Sequence, residues 1–533
     1  MFRHCFLTIT CRKRNLLKQE LQTIYPLSSA LLPKGFNCAD PEILPQYLKE
    51  NPGLCGGNRY LPDLATIELA VHKILLKPVC EPEKIKERMV RPGLDLLKVS
   101  WQGLADIFNG GNVTPVSGDS FVLLLPEKDC SRVRVVSPSN YDLLALKIVA
   151  ENIDSKTAAD EAHVSIGHID NILYSAGQKG LLLFPPSNII RPKDFCREDV
   201  VTGELCSSPS FTLQWHITQA CNLHCRHCYD RSDRTTMTVE QGLSVLDDLY
   251  RFCQEHNVYG QVSFTGGNPL LYPHFLTLYE AAAKRGFLTG ILGNPMDRAY
   301  IEDIVAIQMP EFYQVSLEGL KEHNDYIRGP GHFEQTIHFL ELLKELNISS
   351  MVMLTLTRAN MEQVLDLANI LRDKTDLFTF NRLAMVGEGA QLASVESAQY
   401  QDFLKSYINA AIENKTIHLK DNLCNLELYK QGAPLQGGCA GVGCGAAFNF
   451  VSLLPDGEVH ACRKLPSLLG NIYKESLTDI YHTSLAERYR LGSSACSGCE
   501  IRPACGGCPA VSFGFGQDIF NDLDPYCFKE SLQ

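Results

Sequence analysis

The chain has 533 residues, 45% of them hydrophobic and 21% charged, with a formal net charge of −12. That length suits two to four domains with several apolar cores. The acidic balance excludes a general electrostatic attraction to nucleic acid or to an anionic membrane surface, and no stretch reaches the roughly 18 to 20 uninterrupted apolar residues of a membrane span.

The opening residues, MFRHCFLTITCRKRN, lack the apolar core and small-residue cleavage site of a secretory signal. We therefore expect a cytoplasmic protein without membrane or nucleic-acid partners. In that compartment 21 cysteines point to metal or redox chemistry rather than disulfides. Residues 1–132 read as a mainly helical region of unassigned role, with an amphipathic helix over Leu61–Leu76. Cys38, Cys55 and Cys80 are too scattered for a metal site.

From 133 to 192 the pattern is that of a winged helix-turn-helix. Helices are expected over Tyr141–Asn152, Lys156–His163 and Ser165–Gln178, followed by two short strands around Pro185 and Pro186. The outline suits DNA, but the third helix, SIGHIDNILYSAGQ, carries no Lys or Arg. Docking of an extended peptide by strand addition is the preferred reading, with a purely structural module as another. Residues 193–210 read as a polar linker.

Strand and helix patterns then alternate through six units between 211 and 385. Strands fall at Phe211–Ile217, Gln261–Thr265, Leu288–Leu292, Phe312–Leu317, Ser350–Thr357 and Leu377–Arg382. Six such units argue for an α/β fold with a partial (βα)6 TIM-like barrel, whose functional residues gather at the carboxyl ends of the strands. Unusual residues stand at those ends. The first strand runs into ACNLHCRHCYD, with Cys221, Cys225 and Cys228 spaced C-x3-C-x2-C. Gly266-Gly267-Asn268-Pro269, Gly293-Asn294 and Ser316-Leu317-Glu318-Gly319 follow the next three strands. By spacing alone the cysteines suit a 4Fe-4S cube with one open iron, part of a zinc site, or a ferredoxin-like run with a distant fourth ligand.

Residues 386–435 read as a helical bridge, with a helix over Ala398–Glu413, and 436–533 as a small cysteine-rich domain. Its eight cysteines are Cys439, Cys444, Cys462, Cys496, Cys499, Cys505, Cys508 and Cys527, with a hairpin turning at Asp456-Gly457 to deliver Cys462. Eight thiolates make two sets of four, which suit a pair of zinc sites as well as two iron-sulfur clusters.

The cysteine loop and alternating units resemble radical S-adenosylmethionine (SAM) enzymes over about residues 211–385, and the tail resembles their SPASM extension over about 436–530. The resemblance implies that Cys221, Cys225 and Cys228 hold an open-site 4Fe-4S cluster whose free iron is chelated by S-adenosylmethionine. Reductive cleavage of that cosubstrate gives a 5′-deoxyadenosyl radical. His227 then lies near the adenine. Gly266, Gly267, Asn268 and Pro269 match a Gly-Gly-Glu-Pro segment that receives the methionine amino group, with Asn268 in place of Glu. Ser316 and Glu318 match a ribose-contacting Ser-x-Asp, and Arg328 an arginine near the carboxylate. Cys439, Cys444, Cys462 and Cys508 would hold one auxiliary 4Fe-4S cluster, and Cys496, Cys499, Cys505 and Cys527 the other.

The combination resembles the selenobiotic, or thio(seleno)oxazole, peptide maturases. It implies oxidative modification of Cys or selenocysteine in a ribosomal precursor peptide, giving a heterocycle or a thioether or selenoether link. A ferredoxin or flavodoxin is the implied electron donor. The rival readings are a sulfatase-maturase-like formylglycine former and an iron-sulfur winged-helix regulator that binds DNA.

Overall fold

A computed structural model describes residues 19, 21–195 and 203–529, apart from 35, 37, 39, 128, 130, 437, 440 and 442. Part of the expected linker, residues 196–202, therefore lies outside the described residues. The chain forms two compact units, Met1–Pro185 and Pro186–Gln533.

In the first unit the helix over Leu61–Leu76 forms as expected and buries Leu61, Leu64, Ala65 and Ile67. Short helices at Ser28–Leu31 and Leu44–Glu50 precede it, and only beyond it does the region depart from a mainly helical one. After the short strand β1 (Met89–Val90), strands β2 (Asp95–Gln102), β3 (Val116–Pro126) and β4 (Val133–Val136) make an antiparallel sheet in the order β2-β3-β4. Tertiary packing decides this outcome: Val122 and Leu124 face one core and Leu123 and Leu125 another, the alternation a sheet requires.

The three expected helices follow at Asn140–Ala150, Ser155–Ala162 and Ile166–Gln178. Each is capped by an oxygen side chain, from Ser139, Asp154 and Ser165 respectively. The wing differs from its expected form. Only Leu182–Leu183 (β5) is a strand, and it pairs with β1, almost a hundred residues upstream, rather than with a strand beyond Pro186. Two adjacent prolines lack the N–H groups a hairpin ladder needs.

The second unit contains the half barrel. Strands β6 (Ser210–Thr218), β7 (Tyr259–Gly266), β8 (Leu288–Leu292), β9 (Phe312–Ser316), β10 (Ser350–Leu356) and β11 (Leu377–Arg382) run parallel in sequence order. Helices between them cover the outer face, where Phe211, Trp215, Phe264 and Tyr313 are fully buried. The helix over Val239–His256 begins with a capping box between Thr238 and Gln241. A helix at Lys321–Arg328 was not expected; it is strongly polar and lacks the apolar periodicity that marks its neighbours.

The sheet does not end with the barrel. Strand β12 (Phe450–Leu453) pairs parallel with β6, and β13 (Glu458–His460) and β14 (Leu468–Asn471) add antiparallel strands, making nine in all. The expected hairpin at Asp456-Gly457 thus fastens the cysteine-rich tail to the first barrel strand. Among the described residues, no helix is long and apolar enough to cross a membrane.

Candidate radical site and cysteine clusters

The carboxyl ends of the barrel strands surround a cavity of about 270 Å3 lined by Cys221, Cys225 and Cys228. Its floor holds Thr265 and Gly266 from β7, Leu292 from β8, Ser316 from β9, Thr355 from β10 and Arg382 from β11. Each strand thus contributes through its end, where side chains and loop backbone are free of ladder packing.

The glycine pair locks the cysteine loop to β7. Gly267 N–H donates to Thr218 O at 2.8 Å and Asn268 N–H donates to Ala220 O at 2.7 Å. A Cβ at Gly266 would lie 2.2 Å from Thr218 O, and one at Gly267 2.2 Å from Ala220 O, so neither position admits a side chain.

Polar atoms converge on the thiols. Asn294 Nδ2 lies 3.7 Å from Cys221 Sγ and Arg328 Nη1 3.8 Å from Cys225 Sγ. Cys228 Sγ donates to Asp230 O at 3.2 Å. Burial pushes the Cys225 and Cys228 thiols up, which a bound iron would reverse by favouring thiolate.

Glu318 is sealed beneath this cavity and is not part of its lining. His227 Nε2 lies 3.0 Å from its Oε1, Arg328 donates to the same oxygen through Nε at 2.9 Å and Nη2 at 2.6 Å, and Thr355 N–H donates to Oε2 at 2.8 Å. Burial would raise this carboxyl, but His227 and Arg328 outweigh it and hold it well below the usual carboxylate range. Glu318 therefore anchors two residues that do line the cavity.

Asn268 is fully buried, and both its amide Oδ1 and Nδ2 lack a partner. It sits against the cavity-lining Gly293, where a Cβ would be 3.1 Å from Asn268 Oδ1. Pro269 is also buried and opens a short 3-10 turn. His227 Nδ1 is a third buried atom here without a partner among the described residues. Cavity thiols, a glycine cradle and orphaned polar atoms together fit an iron-sulfur cluster and an amino-acid-bearing cosubstrate.

The tail cysteines crowd around neighbouring cavities, one of which brings Cys496 together with Cys444 and Cys508. Cys439, Cys444, Cys462 and Cys508 all line one cavity of about 90 Å3. In the other expected group, Cys496 is close enough to feel the charges of Cys499 and Cys527, and Cys505 those of Cys496 and Cys499. Gly506 and Gly507, at φ +67° and +64°, turn the chain between Cys505 and Cys508, which are expected in different groups. Burial pushes the Cys444 thiol up to about 12 and the Cys496 thiol to about 11. Among the described residues, no three His, Cys, Asp or Glu side chains are grouped to hold a metal ion by themselves. The fit to clusters rests on the cavity and on the grouping of the thiols.

Residues 215–371 match the Radical SAM superfamily, and residues 444–509 match SPASM, an iron-sulfur cluster-binding domain. The chain carries a radical SAM domain followed by an SPASM domain. These domains bring S-adenosylmethionine and 4Fe-4S clusters as cofactors.

The chain is 26% identical to the AdoMet-dependent heme synthase of Methanosarcina barkeri over 59% of its own length and 95% of that protein. It is 27% identical to the mycofactocin maturase MftC of Mycolicibacterium smegmatis over 60% of this chain and 82% of that one. With the antilisterial bacteriocin subtilosin biosynthesis protein AlbA of Bacillus subtilis, identity is 25% over 55% of this chain and 66% of the other.

Sequence reasoning missed several residues that line the radical SAM cavity. Asn294 and Arg382 were noted only as parts of strand ends, and Arg463 and Lys464 not at all. The pair Arg463-Lys464 directly follows Cys462, and two cations beside a ligand cysteine were the available signal. Burial, together with Arg463 and Lys420, pushes the Lys464 ammonium down to about 8.

Proposed function

We propose that this chain is a peptide maturase that oxidatively modifies Cys or selenocysteine residues of a ribosomally made precursor, closing a heterocycle or a thioether or selenoether link. The observation that carries this reading is the cavity arrangement. The three-cysteine cavity and the cavity lined by Cys439, Cys444, Cys462 and Cys508 share walls at Asn381, Arg382, Ala384, Arg463 and Lys464. A substrate carbon at the radical site is therefore also beside an electron-accepting group. The maturase and bacteriocin-biosynthesis proteins among the relatives support a peptide substrate.

Cys221, Cys225 and Cys228 would hold the cluster that, reduced and with S-adenosylmethionine bound, would supply a carbon-centred radical for hydrogen abstraction. Gly266 and Gly267 would bring backbone close to the cosubstrate, and Asn268 Oδ1, without a partner among the described residues, would accept a hydrogen bond from its ammonium. Ser316 and His227 line its nucleoside end. Arg328, fixed by Glu318, presents positive charge beside Cys225. The two groups of four tail cysteines hold two auxiliary 4Fe-4S clusters, three clusters in all. Ferredoxin or flavodoxin delivers electrons in the cytoplasm.

The N-terminal unit docks the precursor's leader. β4 is an edge strand among the described residues, where Asn109 Nδ2 now donates to Val135 O at 2.8 Å and an added strand would replace it, and the helix over Ile166–Gln178 is free of Lys and Arg, which supports peptide over DNA.

The test is anaerobic incubation of the reconstituted chain with S-adenosylmethionine, reductant and a synthetic peptide from a Cys-rich reading frame beside this one. A peptide mass loss of about 2 Da per bond closed, with about twelve irons per chain, is expected. Release of 5′-deoxyadenosine with turnover of a small molecule and no change in any such peptide would overturn the reading.

A further inference from the structure

Arg463 occupies a position no other lining residue shares. It borders the radical cavity, the cavity of the first cysteine group, and a third cavity of about 550 Å3 inside the half barrel. The third cavity is walled by Ser210, Thr212, Gln261 and Ser263 from β6 and β7. Leu292, Phe312 and Met351 line it as well, and because barrel interiors are ordinarily filled by branched apolar side chains, an open interior of this size and mixed polarity suits a bound ligand segment.

Arg231 lines the radical cavity but is exposed; the more deeply placed cations around these spaces divide into paired and unpaired. Arg328 is engaged by Glu318, and Arg382 by Asp421 and Asp524. Arg234 is engaged by Asp456 and Glu458. Lys420 and Lys464 lie in the field of Cys439 and Cys462, whose thiolates would balance them in a cluster-loaded protein. Among the described residues the Arg463 guanidinium has no carboxylate partner: it lies 5.6 Å from the Tyr229 ring and shares the field of Cys462, and it alone of these cations borders all three cavities. The acidic residues bordering the three cavities are Asp230 and Asp421, and both are already engaged, by Ser232 and Arg382 respectively. A half-buried guanidinium facing three cavities without a carboxylate is incomplete, because its desolvation is offset only when an anion arrives.

We propose that Arg463 is the anion-recognition residue of the substrate pocket and binds a carboxylate of the peptide where the three cavities meet. A guanidinium takes a carboxylate in two parallel hydrogen bonds, which fixes direction as well as position. This anchor orients the residue under attack between the radical and the auxiliary cluster. The inference rests on the peptide reading and adds that the substrate is acidic at the reacting segment, through a side chain or its C-terminus.

The test uses anaerobic calorimetry on the reconstituted full chain with S-adenosylmethionine present. The probes are acetylated pentapeptides: Gly-Ser-Gly-Glu-Gly amide, its Gln and Lys counterparts as amides, and the Gln peptide with a free C-terminal carboxylate. Wild type should bind the Glu amide, or the free-acid Gln peptide, about ten-fold more tightly than the Gln amide, as expected for one desolvated charge pair. Which of the two gains affinity identifies the side chain or the C-terminus as the source. R463Q should abolish the preference, R463K should keep part of it, and R463E should transfer it to the Lys peptide.

Charge-blind binding by wild type, or a preference that survives R463Q, overturns the proposal. Equilibrium dialysis with labelled S-adenosylmethionine separates the remaining source: if R463Q weakens that affinity and leaves the peptide preference intact, Arg463 serves the cosubstrate and the proposal fails. Iron content accompanies every variant, and if R463Q loses iron, wild type and R463K carry the test. Binding preference is read without turnover, so its failure is distinct from a failure to modify peptide.

Discussion

Arg382 at the end of β11 and Asp524 near the end of the chain form a buried two-pronged ion pair, with Nη1 to Oδ1 at 2.7 Å and Nη2 to Oδ2 at 2.9 Å. Asp524 also accepts the N–H of Cys508 at 2.8 Å and of Tyr526 at 3.0 Å, and its own carbonyl accepts from Cys527 N–H at 2.8 Å. One residue thus connects the barrel to a cysteine of each tail group, to Cys508 through its carboxylate and to Cys527 through its backbone. Removing the carboxylate in D524A leaves Arg382 buried with only Asp421, at an expected cost of about 3–5 kcal/mol. Chemical denaturation should show this loss, and iron analysis should show incomplete loading of the tail.

The glycine cradle makes a narrower prediction. In G267A the new methyl must displace Ala220 O, next to Cys221. The expected loss is roughly 1–3 kcal/mol, with a larger effect on iron held by the three-cysteine loop than by the tail. Electron paramagnetic resonance of the reduced protein, with and without S-adenosylmethionine, separates the two, because only the open-site signal responds to the cosubstrate.

Glu318 anchors His227 and Arg328, so E318Q should weaken S-adenosylmethionine binding without touching the cavity wall itself. It also leaves Arg328 unpaired, costing about 3–5 kcal/mol in stability. The folded carboxyl is depressed, so its contribution is present above the ordinary value of 4.5 and is lost only as pH falls through the lower folded value. Wild type should therefore keep this contribution from neutral to mildly acidic pH. Equilibrium dialysis and denaturation midpoints check the two effects.

His332 has the opposite chemistry. Burial, then the nearby Arg328, pushes its imidazole from 6.5 down to about 4. Below 6.5 the unfolded chain takes up a proton that the folded chain refuses until about 4, so stability is full above 6.5 and falls with acid across that window. Between about pH 7.5 and 5.5, wild type should lose about 1.4 kcal/mol more than H332Q. Equal slopes for the two proteins would contradict the assignment.

Local periodicity revealed the parallel strands and their order because each βα unit carries its own apolar pattern, and Leu288–Leu292 and Leu377–Arg382 form as read. The cysteine loop and glycine pair were legible for a related reason: their chemistry is contiguous in the chain. Long-range pairing was not. Nothing near Leu182 announces that its partner is Val90, and nothing near Phe450 announces that it extends the barrel sheet beside Thr212. Glu318 was expected to face the cosubstrate, and only the placement of His227 and Arg328 shows that its carboxylate is already engaged. Arg463 escaped notice because its role depends on three cavities contributed by strands far apart in sequence.

The most direct measurement of the central claim is 5′-deoxyadenosine formation by the anaerobically reconstituted chain with S-adenosylmethionine and dithionite. We predict its release by wild type and its loss in the triple variant C221A/C225A/C228A, which should retain the iron of the tail. Absence of 5′-deoxyadenosine from a fully iron-loaded wild type, or its persistence in the triple variant, would contradict the account.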